Sequence, residues 1–93
     1  MKALIIDDDP DIVEVVSLCF EIRWPDAVLI KAPDGATGIQ RYKEEGADIV
    51  ILDLGLPDMD GLSVCRTLKK LGDVNIIILT VRDQPNDIVK GLE

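Results

Sequence analysis

Four short stretches of the chain, ALII (3–6), AVLI (27–30), DIVIL (48–52) and NIIIL (75–79), are almost continuously apolar. Runs of this length without polar alternation are what strands covered on both faces look like, and they predict a parallel sheet. Between them the period becomes helical. Ile12, Val15, Val16, Cys19 and Phe20 form the apolar stripe of a first helix, capped by Asp9, opened by Pro10 and ended at Trp24 to Asp26. Ala36, Ile39 and Tyr42 give a second helix a weaker stripe, closed by Gly46. Leu62, Cys65, Leu68 and Leu71 carry a third, stopped by Gly72. A fourth, with Ile88, Val89 and Leu92, starts between Gln84 and Asp87 and runs to Glu93.

Strand followed by helix, four times over, predicts one α/β domain: a doubly wound parallel sheet with right-handed crossovers. In the flavodoxin-like arrangement the strand order is 2-1-3-4, and ligands gather outside the carboxyl ends of strands 1 and 3, where the winding reverses. Strand 1 runs into Asp7, Asp8 and Asp9, and strand 3 into Asp53. Parallel strands place their carboxyl ends together, so Asp7, Asp8 and Asp53 should share one pocket. Like charges at that range raise each other's pKa unless a cation sits among them. Oxygen ligands without His or Cys select a hard ion, and a few carboxylates with positions left for water and phosphate suit magnesium. Asp9, Asp58 and Asp60 read instead as helix caps and turn residues.

Composition narrows the function further. The chain has 93 residues, enough for one core, and its 18 acidic against 10 basic residues give a net charge of −8. Binding nucleic acid directly needs clustered Lys and Arg, so any DNA contact belongs to another domain. The apolar runs are too short to span a membrane, and MKALIIDDD turns acidic before a signal peptide could form, which predicts a cytoplasmic protein. Cys19 and Cys65 form no CxxC pair and there is no histidine, so both read as packing residues. LPDMDG and DDDPDI each resemble part of a calcium loop. The first has Leu56 and Thr67 at ligand positions, and the second has Ile12 where the loop needs glycine. No glycine-rich nucleotide cradle is present.

LIIDDDPDI, DIVILDLGLPDMDG and NIIILTVRD, in that order at the strand ends, resemble the receiver domains of two-component response regulators over the whole chain. The resemblance implies a phosphoacceptor switch rather than an enzyme with turnover. A sensor histidine kinase or histidine phosphotransfer protein would donate to Asp53 and an output domain, transcriptional by expectation, would receive the signal. It further implies that Asp8, Asp53 and the backbone carbonyl of Gly55 ligate magnesium, that Asp7 holds the ion through water, and that the Thr80 hydroxyl senses the phosphate.

The chain departs from the family pattern in two places. Val81 stands where a smaller residue is usual, which implies slower hydrolysis of the aspartyl phosphate. The fifth strand with its Lys-Pro pair and the fifth helix are absent, and Lys90 falls in the fourth helix by its spacing. Residues 1–93 therefore read as a receiver incomplete at its C-terminus, expected to self-associate through the exposed edge of strand 4 or to lose stability. Two other readings remain at this point. One is an interaction module that never takes phosphate. The other is a magnesium-dependent phosphohydrolase with Asp53 as nucleophile, although Gly55 stands where a haloacid-dehalogenase-like pattern wants a second acid.

Overall fold

The computed structural model describes residues 1–79; Thr80, Val81 and the expected fourth helix with Lys90 lie outside them. The elements are β1 (Lys2–Ile6), α1 (Pro10–Arg23), β2 (Val28–Ala32), α2 (Gly35–Glu45), β3 (Ile49–Asp53), α3 (Gly61–Leu71) and β4 (Asn75–Leu79). All strand pairs are parallel and the order is β2-β1-β3-β4, the doubly wound arrangement read from the sequence.

β1 lies inside the sheet, and Ala3 to Ile6 have no solvent exposure at all. Because side chains alternate across a strand, Leu4 and Ile6 join Val50 and Leu52 of β3 in the larger core cluster, with Val64 and Leu68 of α3. Ala3, Ile5 and Ile51 meet Phe20 of α1 on the opposite face. Cys19, exposed on α1, and Cys65, on α3 against the larger cluster, therefore sit on opposite sides of the sheet, and both are free thiols.

The sheet edges differ from expectation. β2 starts one residue later than AVLI and continues through Lys31 to Ala32, with Val28 and Lys31 exposed on this edge strand. β4 is likewise only half-buried, and its Ile77 is exposed.

Each helix also turns inward a face offset from the stripe of large apolar residues. In α1 the inward set is Val13, Val16, Ser17 and Phe20, while Val15 and Cys19 face solvent. Ser17 tolerates burial because its hydroxyl donates to the Val13 carbonyl at 2.7 Å. In α2 the set is Gly35, Gly38, Ile39 and Tyr42, with Ala36 exposed. In α3 it is Gly61, Val64, Cys65 and Leu68, leaving Leu62 and Leu71 outside. All three sets follow the i, i+3, i+4, i+7 rule. Each contains a serine or glycine that a search for large apolar residues passes over.

The glycines let α2 lie against the sheet. A Cβ on Gly38 would stand 2.7 Å from Ile6 Cγ1 and closer still to Cδ1. Helix propensity alone would make Gly38→Ala stabilising by about 1 kcal/mol, but the collision opposes it with a cost of roughly 1–3 kcal/mol. The expected outcome in urea unfolding is a net loss of stability, partly recovered when Ile6→Val removes the nearest methyl. A raised midpoint for Gly38→Ala would show that Ile6 moves aside freely.

Candidate functional site at the carboxyl edge of the sheet

Ile6 pairs with Leu52 in the β1–β3 register, so the next residues, Asp7 and Asp53, come opposite each other. The ladder runs that far on the other side as well: the Asp7 N–H donates to the Ala32 carbonyl at 3.0 Å. Asp8 follows, and carboxylate oxygens of Asp7, Asp8 and Asp53 lie within 4.8 Å of one another. The chain thus brings together the three acids its sequence assigns to one pocket.

Their surroundings differ. Asp7 is 5% exposed, and its Oδ1 accepts the Asp9 N–H at 2.9 Å. Burial pushes its carboxyl above the ordinary value of 3.8; the Asp9 N–H opposes this, and the charges of Asp53, Asp8 and Asp9 add to the rise. Asp53 is half-buried, and its Oδ1 accepts the Gly55 N–H at 3.2 Å. Asp8 is exposed. An all-oxygen donor set of three converging carboxylates, without His or Cys, fits a hard divalent cation such as magnesium. Asp9 takes no part in the cluster and caps α1 through the Asp11 N–H. A groove of about 480 Å³ opens beside Asp7 and Asp8, between α1 and the end of β2, over Val13 and Pro33.

The segment from Leu54 to Asp60 folds back over the end of β3. At Gly61 it passes so close that a Cβ would lie 2.6 Å from Leu54 Cα and 3.0 Å from the Asp53 carbonyl oxygen, so only glycine fits there. Asp60 caps α3 through the Leu62 N–H, as its position predicts. Asp58 is also a cap, but of another helix: its two carboxylate oxygens accept the N–H groups of Gly35 at 2.8 Å and Ala36 at 2.9 Å, at the start of α2. Those bonds, from Ala36 first and then Gly35, hold the Asp58 carboxyl below its ordinary value.

The response regulator receiver domain family matches residues 3–93. The chain belongs to that family. It is 38% identical over 93 residues to an uncharacterized transcriptional regulatory protein, YclJ, of Bacillus subtilis, covering all of this chain and 40% of that one. It is 36% identical over 92 residues to the DNA-binding response regulator MtrA of Mycolicibacterium smegmatis, covering 99% of this chain and 40% of that one. The receiver thus spans about 40% of the length of these curated relatives. Among solved structures, the BeF3-activated N-terminal receiver domain of Klebsiella pneumoniae RstA superposes with a TM-score of 0.81 at 26% identity, covering 99% of this chain and 77% of that one. The receiver domain of a Francisella response regulator does so with a TM-score of 0.78 at 27% identity, over 98% and 74%. Among the described residues of this receiver, no helix is long and apolar enough to cross a membrane.

The raised Asp7 value yields a prediction with a definite sign. A buried acid that resists ionisation favours the fold below the ordinary value and opposes it once pH rises through its folded pKa. In buffer free of divalent cations, Asp7→Asn should therefore raise stability at neutral pH and lose that advantage below pH 3.8. Thermal unfolding at both pH values checks this, and equal midpoints at neutral pH would contradict it.

Proposed function

We propose that this receiver accepts a phosphoryl group on Asp53 from a phosphohistidine of a sensor histidine kinase or histidine phosphotransfer protein, and relays the change to an output domain that controls transcription. The observation that carries the reading is the convergence of the Asp7, Asp8 and Asp53 carboxylates at the end of β1 and β3. Membership of the receiver family and the transcription-related names of its relatives support the relay.

Asp53 is the nucleophile of the three. The Gly55 N–H holds Oδ1 and fixes the plane of the carboxylate, so that Oδ2 can meet phosphorus. As the new O–P bond forms, the N–P bond of the donor breaks and its electron pair stays on the imidazole, leaving an aspartyl phosphate. Residues 1–93 hold no histidine, so the donor lies outside them. Magnesium on Asp7, Asp8, Asp53 and the Gly55 carbonyl would neutralise the repulsion between an anionic acceptor and an anionic donor. Asp7, buried and oriented by the Asp9 N–H, serves to anchor that ion and has no part in bond making. Thr80, next in sequence after β4, is assigned the hydroxyl that senses the new phosphate.

The roles separate experimentally. In a version carrying its output domain, Asp53→Asn should abolish incorporation of acid-labile phosphate from acetyl phosphate or a cognate kinase; undiminished labelling would remove Asp53 as acceptor. Asp8→Ala should weaken magnesium binding and phosphoryl transfer together. Thr80→Ala should retain labelling and lose phosphate-dependent output, and normal output would return Thr80 to a packing role.

A further inference from the structure

The segment Leu54–Asp60 carries Gly55, whose carbonyl the preceding proposal gives to the metal, and what holds that segment in place is visible in the structure. At its start Gly55 bonds back to Asp53, and at its end Gly61 rests on Leu54. Both contacts are local to β3 and its own continuation. In the middle, the segment is tied to a different element. Asp58 takes two of the free N–H groups at the start of α2, Gly35 and Ala36. A third free donor of that helix end is met from Asp34, whose Oδ1 accepts the Thr37 N–H at 2.7 Å. The amides of Gly35, Ala36 and Thr37, which precede the first bond within the helix, are thereby satisfied.

Charge and packing reinforce the tie. Apart from its own cap, Asp34, α2 has no acid in its first turn, and Asp58 adds from another segment a second negative charge where a helix N-terminus favours one. The next residue, Met59, packs beneath the same helix end: a Cβ on Gly35 would meet the Met59 Sδ at 2.7 Å and its Cγ more closely. Leu56 and Met59 both join the larger core cluster. Gly38, one turn further along α2, sits against Ile6, the last residue of β1 before Asp7. A continuous path of contacts therefore runs from β1, through α2, to the segment behind Asp53.

We infer that Asp58 is a positioning residue for the acceptor site: by clasping the N-terminus of α2 it fixes the segment that presents Gly55, so that the Gly55 carbonyl and the Asp53 carboxylate stay arranged to share one cation. Asp58 touches neither the ion nor the phosphoryl group, and its influence passes through the backbone of residues 54–57. This inference rests on the metal reading proposed above.

The test is magnesium titration of the chain, followed by amide NMR shifts at Asp8, Asp53 and Gly55, together with urea unfolding of each variant. Asp58→Ala is expected to raise the magnesium dissociation constant about tenfold, the lower range for loss of a partner behind a metal ligand. Asp58→Asn, which keeps one acceptor oxygen, should fall between Asp58→Ala and the wild type. The deciding variant is Asp58→Ala with Ala36→Glu. Ala36 is exposed, and a glutamate there returns negative charge to the first turn of α2 without reconnecting it to the segment. Stability restored with magnesium affinity still low supports positioning. Both restored together would overturn it, because Asp58 would then be only a helix cap, and unchanged affinity in Asp58→Ala would overturn it equally. Wild-type shifts that do not respond to magnesium at all would instead refute the metal reading itself.

Discussion

Parallel pairing of β1 with β3 is the constraint on which the rest depends. It delivers two strands to one edge in register and so brings the acids that follow them face to face. The same pairing buries β1 on both sides, which removes the freedom that might let those acids drift apart. Carboxylates in solution would separate under their mutual repulsion, but here the sheet holds them while Asp7, the most buried, resists ionisation. The repulsion among these carboxylates is opposed by the pairing of the apolar strands that carry them.

Seven aspartates of this chain fall into two groups by the company they keep. Asp9, Asp34, Asp58 and Asp60 accept N–H groups at helix starts. For Asp58 these bonds hold the carboxyl below its ordinary value. Asp7, Asp8 and Asp53 face one another at strand ends. A net charge of −8 therefore does not describe a uniformly acidic surface. Part of it meets helix ends, and three carboxylates converge at the switch point of the sheet.

Most of this could be read from the residues. The apolar runs marked all four described strands to within two residues at either end, and the order of elements led to 2-1-3-4 and from there to the three converging acids. Asp9, Gly46 and Gly72 marked helix ends correctly because capping is local chemistry. What could not be read was rotational and long-range. The buried faces of α1, α2 and α3 each include Ser17, Gly35 and Gly38, or Gly61, residues without apolar bulk, so counting large side chains turned each helix away from its true face. The bond from Asp58 to α2 joins positions 23 residues apart, and a cap is searched for beside its own helix. Thr80 lies outside the described residues and rests on resemblance alone.

The winding order has a consequence during synthesis. β2 emerges from the ribosome directly after β1 and α1 and can pair with one edge of β1, while the other edge must wait for β3, beyond the whole of α2. At roughly 5–20 residues per second, this leaves an apolar strand half-paired for seconds, with Leu4 and Ile6 lacking the α3 side chains that later cover them. The cluster of three carboxylates comes into being only once Asp53 has emerged. A nascent chain halted before that point carries an open strand edge and an incomplete cluster, which makes it a substrate for chaperones.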